Sequence, residues 1–491
     1  MALRSQVLRA AGDGRSLLNT MHPYTRRSLL KLGSAGVLSL ASTSAAPRSH
    51  APNSGEISVR VTAGTQRFAA APPLSWQPAT GSTGSSITLE PANSFQHILG
   101  FGAAFTDASC YIFNQLPAAA RNDLFGELFH PGKMGLGVCR LCMGASDYST
   151  KVYSYDEGGP DPDLARFSID HDREYIIPAL KAARSLNPNL FLFASPWSPP
   201  AWMKVNNSML GGLMEKKHFP VYAQYFVKFL RAYAEAGVPV NAVTIQNEVD
   251  TEQDSRMPAS LWGQEYEAGF VAEHLGRALA DTRLDTKIWI IDHNYNLWGR
   301  AIAELDDPEV NRYVDGVAWH GYLGEPSAMT RVHEAHPEKH MYWTEGGPSF
   351  KAPDYATDWA NWATTFAGIL RNWSRCVVGW NLALDEHGTP NIGPFDCGGM
   401  VTIHSKTGEV TRSGQYWAFA HYARAARPGA RRIGSAGDLE SVSHVAFADP
   451  GGGTAVVLTN RGPAKQVRLC LSEREVAVSL PQDSVLNLSW S

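Results

Sequence analysis

Between Leu99 and Leu384, short apolar runs alternate with helical patterns eight times over. The runs are LGFGAAF (99–105), MGLGVCRLCM (134–143), LFLFASPW (190–197), AVTIQNE (242–248), KIWIIDH (287–293), VDGVAWHGY (314–322), KHMYWTEGG (339–347) and CVVGWNLAL (376–384). Most are rich in β-branched and aromatic residues, as strands buried on both faces must be. The intervening spacing predicts helices over 170–185, 219–236, 260–280 and 355–373, and a last one over 415–426. Eight strand–helix units predict a (β/α)8 TIM barrel. The rival is a doubly wound open sheet. It carries a Gly-rich nucleotide loop after its first strand, which is missing here.

The chain ends read differently. Thr25-Arg26-Arg27-Ser28-Leu29-Leu30-Lys31 resembles a twin-arginine export motif, followed by an apolar run from 32 to 40 and a small-residue stretch cut near Ala45 or Ala46. That run is too short to span a membrane. Met1 and Met21 are alternative starts. Residues 1–50 therefore read as a signal and disordered leader. Residues 51–95 hold alternating strand patterns, and 427–491 read as short strands with turns. The two segments are expected to join in one β-sandwich, appended to a catalytic barrel over 96–426.

A net charge of −4 leaves no footprint for nucleic acid or an anionic membrane. The 14 Trp and 17 Tyr suit a carbohydrate binder, whose aromatics stack on sugar C–H faces, and equally an aromatic-rich core. Cys139 and Cys142 have CxxC spacing inside a strand, where residues three apart face opposite ways. They read as buried free thiols, not metal ligands. No cofactor is implied.

Active sites of such barrels lie at the C-terminal strand ends. The polar residues there are Asp107, Arg140, Asp147, Trp197, Asn247, Glu248, Asp292, His293, His320, Tyr322, Glu345, Trp380 and Asn381. Several have structural readings as well. Arg140 suits an ion pair, Asp147 a turn, and Trp197, Trp380 and His320 a core. Asp107 reads better as a helix cap, and Asp292-His293 as structural. Glu248 and Glu345 resist that treatment, because a buried carboxylate without a function is costly. Burial is expected to raise the pKa of Glu248, as a proton donor requires. Two carboxylates, aromatics and no metal-ligand motif point to glycoside hydrolysis. Glu248 would be the acid/base and Glu345 the nucleophile. Asn247 would donate to the sugar 2-hydroxyl, and Arg140 and Tyr322 would hold Glu345.

The ordered set GFGAAFTDAS, GASDYST, SPWSPPAWMK, QNE, HGY, TEGG and GWNLAL resembles glycoside hydrolase family 30. The resemblance runs from about Leu99 to Ala426 and extends to the β-sandwich. It implies the acid/base at Glu248, the nucleophile at Glu345, and sugar binding by Asp147, Trp197, Asn247 and Trp380. His320, Tyr322 and Arg140 match site-lining positions. It also implies retention of configuration, with carboxyl groups about 5–5.5 Å apart. Two departures concern the entrance. Gly346-Gly347-Pro348 stands where glucosylceramide enzymes have a bulkier, Cys-containing segment, and GWNLAL is shorter than their eighth-strand motif. Asp147 with Trp197 resembles the glucose-binding pattern.

The resulting expectation is an exported (periplasmic or extracellular) retaining β-glycosidase. Its substrate would be a β-glucosyl carbohydrate or glycolipid, such as glucosylceramide or β-1,6-glucan, with no nucleic acid partner and no integral membrane segment. The alternatives are an endo-xylanase or galactanase of the same clan, and a non-catalytic carbohydrate-binding barrel. A serine esterase is disfavoured, because no GxSxG elbow occurs near a strand end.

Overall fold

Eight parallel strands close on themselves in the computed structural model, which describes residues 55–81 and 84–491. They are β1 (Gly100–Phe105), β2 (Val138–Cys142), β3 (Phe191–Ser195), β4 (Ala242–Thr244), β5 (Lys287–Asn294), β6 (Val314–His320), β7 (His340–Glu345) and β8 (Ser374–Gly379). Closure is made by β8 against β1, with Cys376 opposite Gly100 and Gly379 opposite Ala103. Each strand overlaps one of the eight runs read from the sequence; β5 ends one residue past its run and β8 begins two residues before its own. β4 is shorter than its run, because pairing stops at Thr244, before Asn247-Glu248.

Helices cover the barrel. Phe219–Glu235 and Trp359–Arg371 match their expected spans within a few residues, and Gly414–Ala425 closes the barrel sequence. Two expected helices are broken. The first splits at Tyr175, whose φ of −143° is not helical, into Asp170–Glu174 and Ile176–Leu186. The other starts only at Gln264 and passes through a π-turn at Phe270–Leu275.

Both ends of the described chain enter one ten-stranded sheet. Glu56–Ala63 pairs antiparallel with Ser484–Trp490, and Ser86–His97 with Arg431–Ala436. Alternation in ISVRV puts Ile57, Val59 and Val61 into a core shared with Val456, Leu458, Leu486 and Leu488. Polar contacts fix this sheet to the barrel helices. His421 Nε2 lies 2.9 Å from Thr62 Oγ1, Trp359 Nε1 donates to the Asp483 carbonyl at 2.8 Å, and Gln96 Nε2 donates to the carbonyls of Leu370 and Ser374. Cys139 and Cys142 are buried free thiols in different clusters, as opposite faces of β2 require. Among the described residues, no helix is long and apolar enough to cross a membrane. The twin-arginine stretch and its cleavage site lie outside the described residues.

Candidate active site

Residues two apart on a strand share a face. Inside the barrel that rule sets a polar layer on an apolar floor. Val138, Phe193, Ala242, Trp289, Ala318, Tyr342 and Cys376 belong to one buried cluster, the floor. Two residues further along their strands come Arg140, Ser195, Thr244, His320 and Thr344, all with 0 % exposure. β5 breaks the rule. Ile291 and Asp292 have φ of 74° and 45°, and the pairing with β6 shifts register between Ala318 and Trp319. This bulge turns Asp292 inward, three residues after Trp289 instead of two. A β-branched residue at such a φ is strained, at about 1–3 kcal/mol.

Asp292 is the hub of the layer. It accepts hydrogen bonds from Arg140 Nη2, Ser195 and Thr244 at 2.7 Å on one oxygen. On the other it meets Thr344 at 2.7 Å and His320 Nε2 at 3.1 Å. Burial works to raise its pKa, but Arg140 and His320 outweigh burial and hold it well below the usual carboxylate range. Arg140 spreads its donors over four partners. Nη1 binds Glu345 Oε2, Nη2 also donates to Asn247 Oδ1 at 2.7 Å, and Nε donates to Ser195 Oγ at 3.1 Å.

The two strand-end glutamates stand above this layer. Glu345, the last residue of β7, also accepts from the Tyr322 hydroxyl at 3.1 Å. Glu248 lies beyond β4 with φ of 56°. Gln253 Nε2 donates to Glu248 Oε2 at 2.6 Å. Two imidazoles face Oε1, with His320 Nδ1 at 3.3 Å and His293 Nε2 at 3.4 Å. Burial alone would raise Glu248, as the sequence led us to expect. Instead His293 and His320 hold it well below the usual range. His293 moves the other way: burial lowers it, but Asp250 and Glu248 push it up to about 10.

A cavity of about 410 Å³ opens over both carboxylates, lined by Asp147, Trp197, Asn247, Tyr322 and Trp380 among others. Arg140 and His320 lie beneath it, both fully buried. Trp197 and Trp380 stack with ring centres 5.0 Å apart, and the Arg140 guanidinium lies over both rings. Asp147 Oδ1 is buried without a hydrogen-bond partner. Burial and the nearby Glu345 and Glu248 carboxylates push its pKa well above the usual range. Asn381 is fully buried and accepts from Thr106 Oγ1 at 3.0 Å, away from the cavity lining.

Two readings from sequence need correction. Asp292 and His293, read together as structural, differ: Asp292 is the buried hub of the polar layer, but His293 lines the cavity and meets Glu248. Asp107 is not the cap of the first helix. Thr106 caps it, accepting from Ser109 N at 3.1 Å. Asp107 instead receives Thr150 N and the Tyr175 hydroxyl at 2.6 Å, with His171 Nε2 at 2.7 Å. These bonds anchor the loop that carries Asp147. Gln253 was missed as well. It comes from a loop and carries no pattern of its own.

Glu248, His320 and Glu345 bring one donor atom each to within 4.8 Å of one another, a spacing that a metal ion would also use. Here Arg140 already supplies the cation beside Glu345, and His320 turns its other nitrogen to Asp292.

The comparisons agree with this architecture. Residues 98–425 match the glycosyl hydrolase family 30 TIM-barrel domain, and residues 429–488 the beta sandwich domain of the same family. An endo-1,6-beta-D-glucanase of Neurospora crassa is 33% identical over 410 residues, covering 78% of this chain and 84% of that one. A Caenorhabditis elegans protein provisionally named glucosylceramidase 1 is 30% identical, covering 81% of this chain and 79% of that one. Among solved structures, the endo-beta1,6-glucanase BT3312 superposes with a TM-score of 0.81 at 28% identity, over 89% of this chain and 99% of that one. With both domain models matched in order and the barrel's polar residues gathered at one end, this chain is a glycoside hydrolase and belongs to glycoside hydrolase family 30.

Proposed function

We propose that the chain hydrolyses β-glucosyl linkages with retention of configuration, Glu345 acting as nucleophile and Glu248 as acid/base. The observation that carries this reading is the pair of carboxylates under one aromatic-walled cavity, with an oxygen of each within 4.8 Å. An inverting pair needs a wider gap, about 6.5–9.5 Å, to admit water between carboxylate and sugar. Arg140 and Tyr322 orient Glu345 for attack on the anomeric carbon. The Asn247 Oδ1 is taken by Arg140, which leaves its Nδ2 to donate to the sugar 2-hydroxyl. The unpartnered oxygen of Asp147 accepts from another sugar hydroxyl, and Trp197 and Trp380 form the wall.

The substrate class is a β-1,6-linked glucan or gluco-oligosaccharide, supported by the endo-1,6-glucanase relatives. Tyr322, Leu323 and Phe395 are 50 %, 58 % and 40 % exposed, and Tyr322 and Phe395 line the cavity. Such an apolar rim also suits the lipid part of a glucosylceramide-type glycolipid, the second reading. Proton NMR of the first-released sugar tests the mechanism: β-glucose is expected, and α-glucose would overturn it. Comparing a β-1,6-glucan with micellar glucosylceramide then separates the two substrates. Export by the twin-arginine route rests on Arg26 and Arg27. R26K/R27K is expected to keep the protein in the cytoplasmic fraction, and undiminished export would remove that part of the proposal.

Glu248→Gln provides a sharper check on the acid/base. It is expected to lower kcat/KM by about 10²–10⁴-fold for phenyl β-glucoside, whose leaving group needs a proton. The loss should be far smaller for 2,4-dinitrophenyl β-glucoside, whose leaving group does not. Equal losses on both substrates would contradict the assignment.

A further inference from the structure

We infer that His293, backed by Asp250, holds the proton that Glu248 delivers to the leaving group, so that His293 is a positioning residue for the acid/base step. This rests on the reading of Glu248 as acid/base.

Both oxygens of Glu248 face side-chain nitrogens. Gln253 donates to Oε2, and the two imidazoles face Oε1. A carboxyl group so surrounded can share its proton with a neighbouring imidazole. The two imidazoles are not equivalent. His320 is fully buried, and its second nitrogen faces Asp292, which is already paired with Arg140. His293 lines the substrate cavity, and its Nδ1 is in ion-pair contact with Asp250. The Asp250 side chain is 37 % exposed, which connects the pair to solvent for proton exchange.

The groups around His293 are few. Glu248 and Asp250 come from the segment after β4. His320 approaches from β6 with ring centres 5.8 Å apart. Arg300, on the helix Trp298–Leu305, acts on Asp250, and Asp292 turns its carboxylate away toward Arg140. Two carboxylates against one distant guanidinium favour the imidazolium, in agreement with a His293 pKa pushed up to about 10.

The proton balance is simple. In the first half-reaction the Nε2–H bond of His293 breaks and an O–H bond forms on Glu248 Oε1. Neutral His293 keeps its Nδ1 proton toward Asp250. Glu345 then forms a bond to the anomeric carbon as the glycosidic C–O bond breaks, the electron pair of that bond stays on the leaving oxygen, and the leaving oxygen takes the proton from Glu248. In the second half-reaction Glu248 removes a proton from water as the new C–O bond forms and the bond to Glu345 breaks. Returning that proton to His293 restores the starting state.

The sign of the pH effect follows. A pair sharing one proton stays competent until His293 itself deprotonates, so the basic limb of kcat/KM lies above neutrality. His293→Gln is expected to move the basic limb for phenyl β-glucoside to lower pH by about one unit or more. The limb for 2,4-dinitrophenyl β-glucoside should stay where it is. Asp250→Asn, a milder change at a part-exposed site, should shift the phenyl limb in the same direction. Histidine ¹³Cε1 NMR, with the resonance assigned by its loss in H293Q, reads the pair without turnover. The imidazolium signal is expected to persist beyond pH 8, and Glu248→Gln should bring its midpoint down. A His293 midpoint at the ordinary 6.5, or an unmoved phenyl limb in both variants, would overturn the relay while leaving Glu248 as acid/base. Indifference of both leaving groups to Glu248→Gln would overturn the acid/base reading and the relay with it.

Discussion

Glu345→Gln is expected to reduce kcat by about 10⁴-fold or more while leaving the fold intact, the largest catalytic loss of any single substitution in this site. The amide keeps the volume, its oxygen can accept from Arg140, and its NH2 can donate to the Tyr322 hydroxyl oxygen. Asp292 remains to balance the Arg140 charge, so no bare cation is buried. What disappears is the nucleophile. Glu345→Ala with added azide provides a distinguishing signature. Azide in place of a missing nucleophile attacks from the face opposite the leaving group and yields the α-glucosyl azide. Azide in place of a missing acid/base, in Glu248→Ala, intercepts the glycosyl-enzyme and yields the β-azide. Steady-state kinetics and proton NMR of the azide product check both. Wild-type kcat in Glu345→Gln, or β-azide from Glu345→Ala, would move the nucleophile elsewhere.

The barrel was legible because its strands are buried on both faces, so each appears as an unbroken apolar run. Other elements hid for physical reasons. Gln66–Ser75 contains Pro72 and Pro73, which argue against a strand by composition. It lies at the edge of the ten-stranded sheet, where a missing N–H is tolerated. The break at Tyr175 has a local cause in Pro178, which has no N–H for the Glu174 carbonyl and crowds it. The Tyr175 hydroxyl is bound to Asp107 on another element, and no local pattern reports such a contact.

The site divides along similar lines. Glu248 and Glu345 stood out because a carboxylate at the end of an apolar strand has few structural explanations. Arg140 and His320 followed from their places at the C-terminal ends of β2 and β6. Asp292 stands at such an end too, but its inward turn was hidden. Strict alternation from Trp289 points Ile291 inward and Asp292 outward, and only the bulge at Ile291–Asp292 reverses this. His293, near the end of β5, and Gln253, from the segment after β4, become site residues by meeting Glu248, and a single sequence does not show which neighbours converge there.

Asp292→Ala tests the buried layer, and its effect is expected on stability first. Arg140 and Asp292 are both fully buried, and removing Asp292 leaves Arg140 with Glu345 as its one remaining carboxylate and strands the hydroxyl donors of Ser195, Thr244 and Thr344. Breaking such a pair costs about 3–5 kcal/mol. Thermal or urea denaturation is expected to show that loss. Asp292→Asn should lie in between, since the amide oxygen still accepts from Ser195 and Thr244 but no longer neutralises the guanidinium. The pH dependence has a definite sign. The Asp292 carboxyl is held below its ordinary value of 3.8, so its contribution is present above that pH and lost as acid is added. The acid-side slope of Tm against pH should therefore flatten in Asp292→Ala. Activity is expected to fall as well, because Arg140 freed from Asp292 no longer holds Glu345 and Asn247 in register. A double variant, Arg140→Met with Asp292→Leu, separates the two effects. Removing both charges should recover part of the stability and none of the activity. Unchanged stability in Asp292→Ala would mean that Glu345 alone balances Arg140 or that solvent reaches it, contrary to Asp292 as the hub of a sealed polar layer.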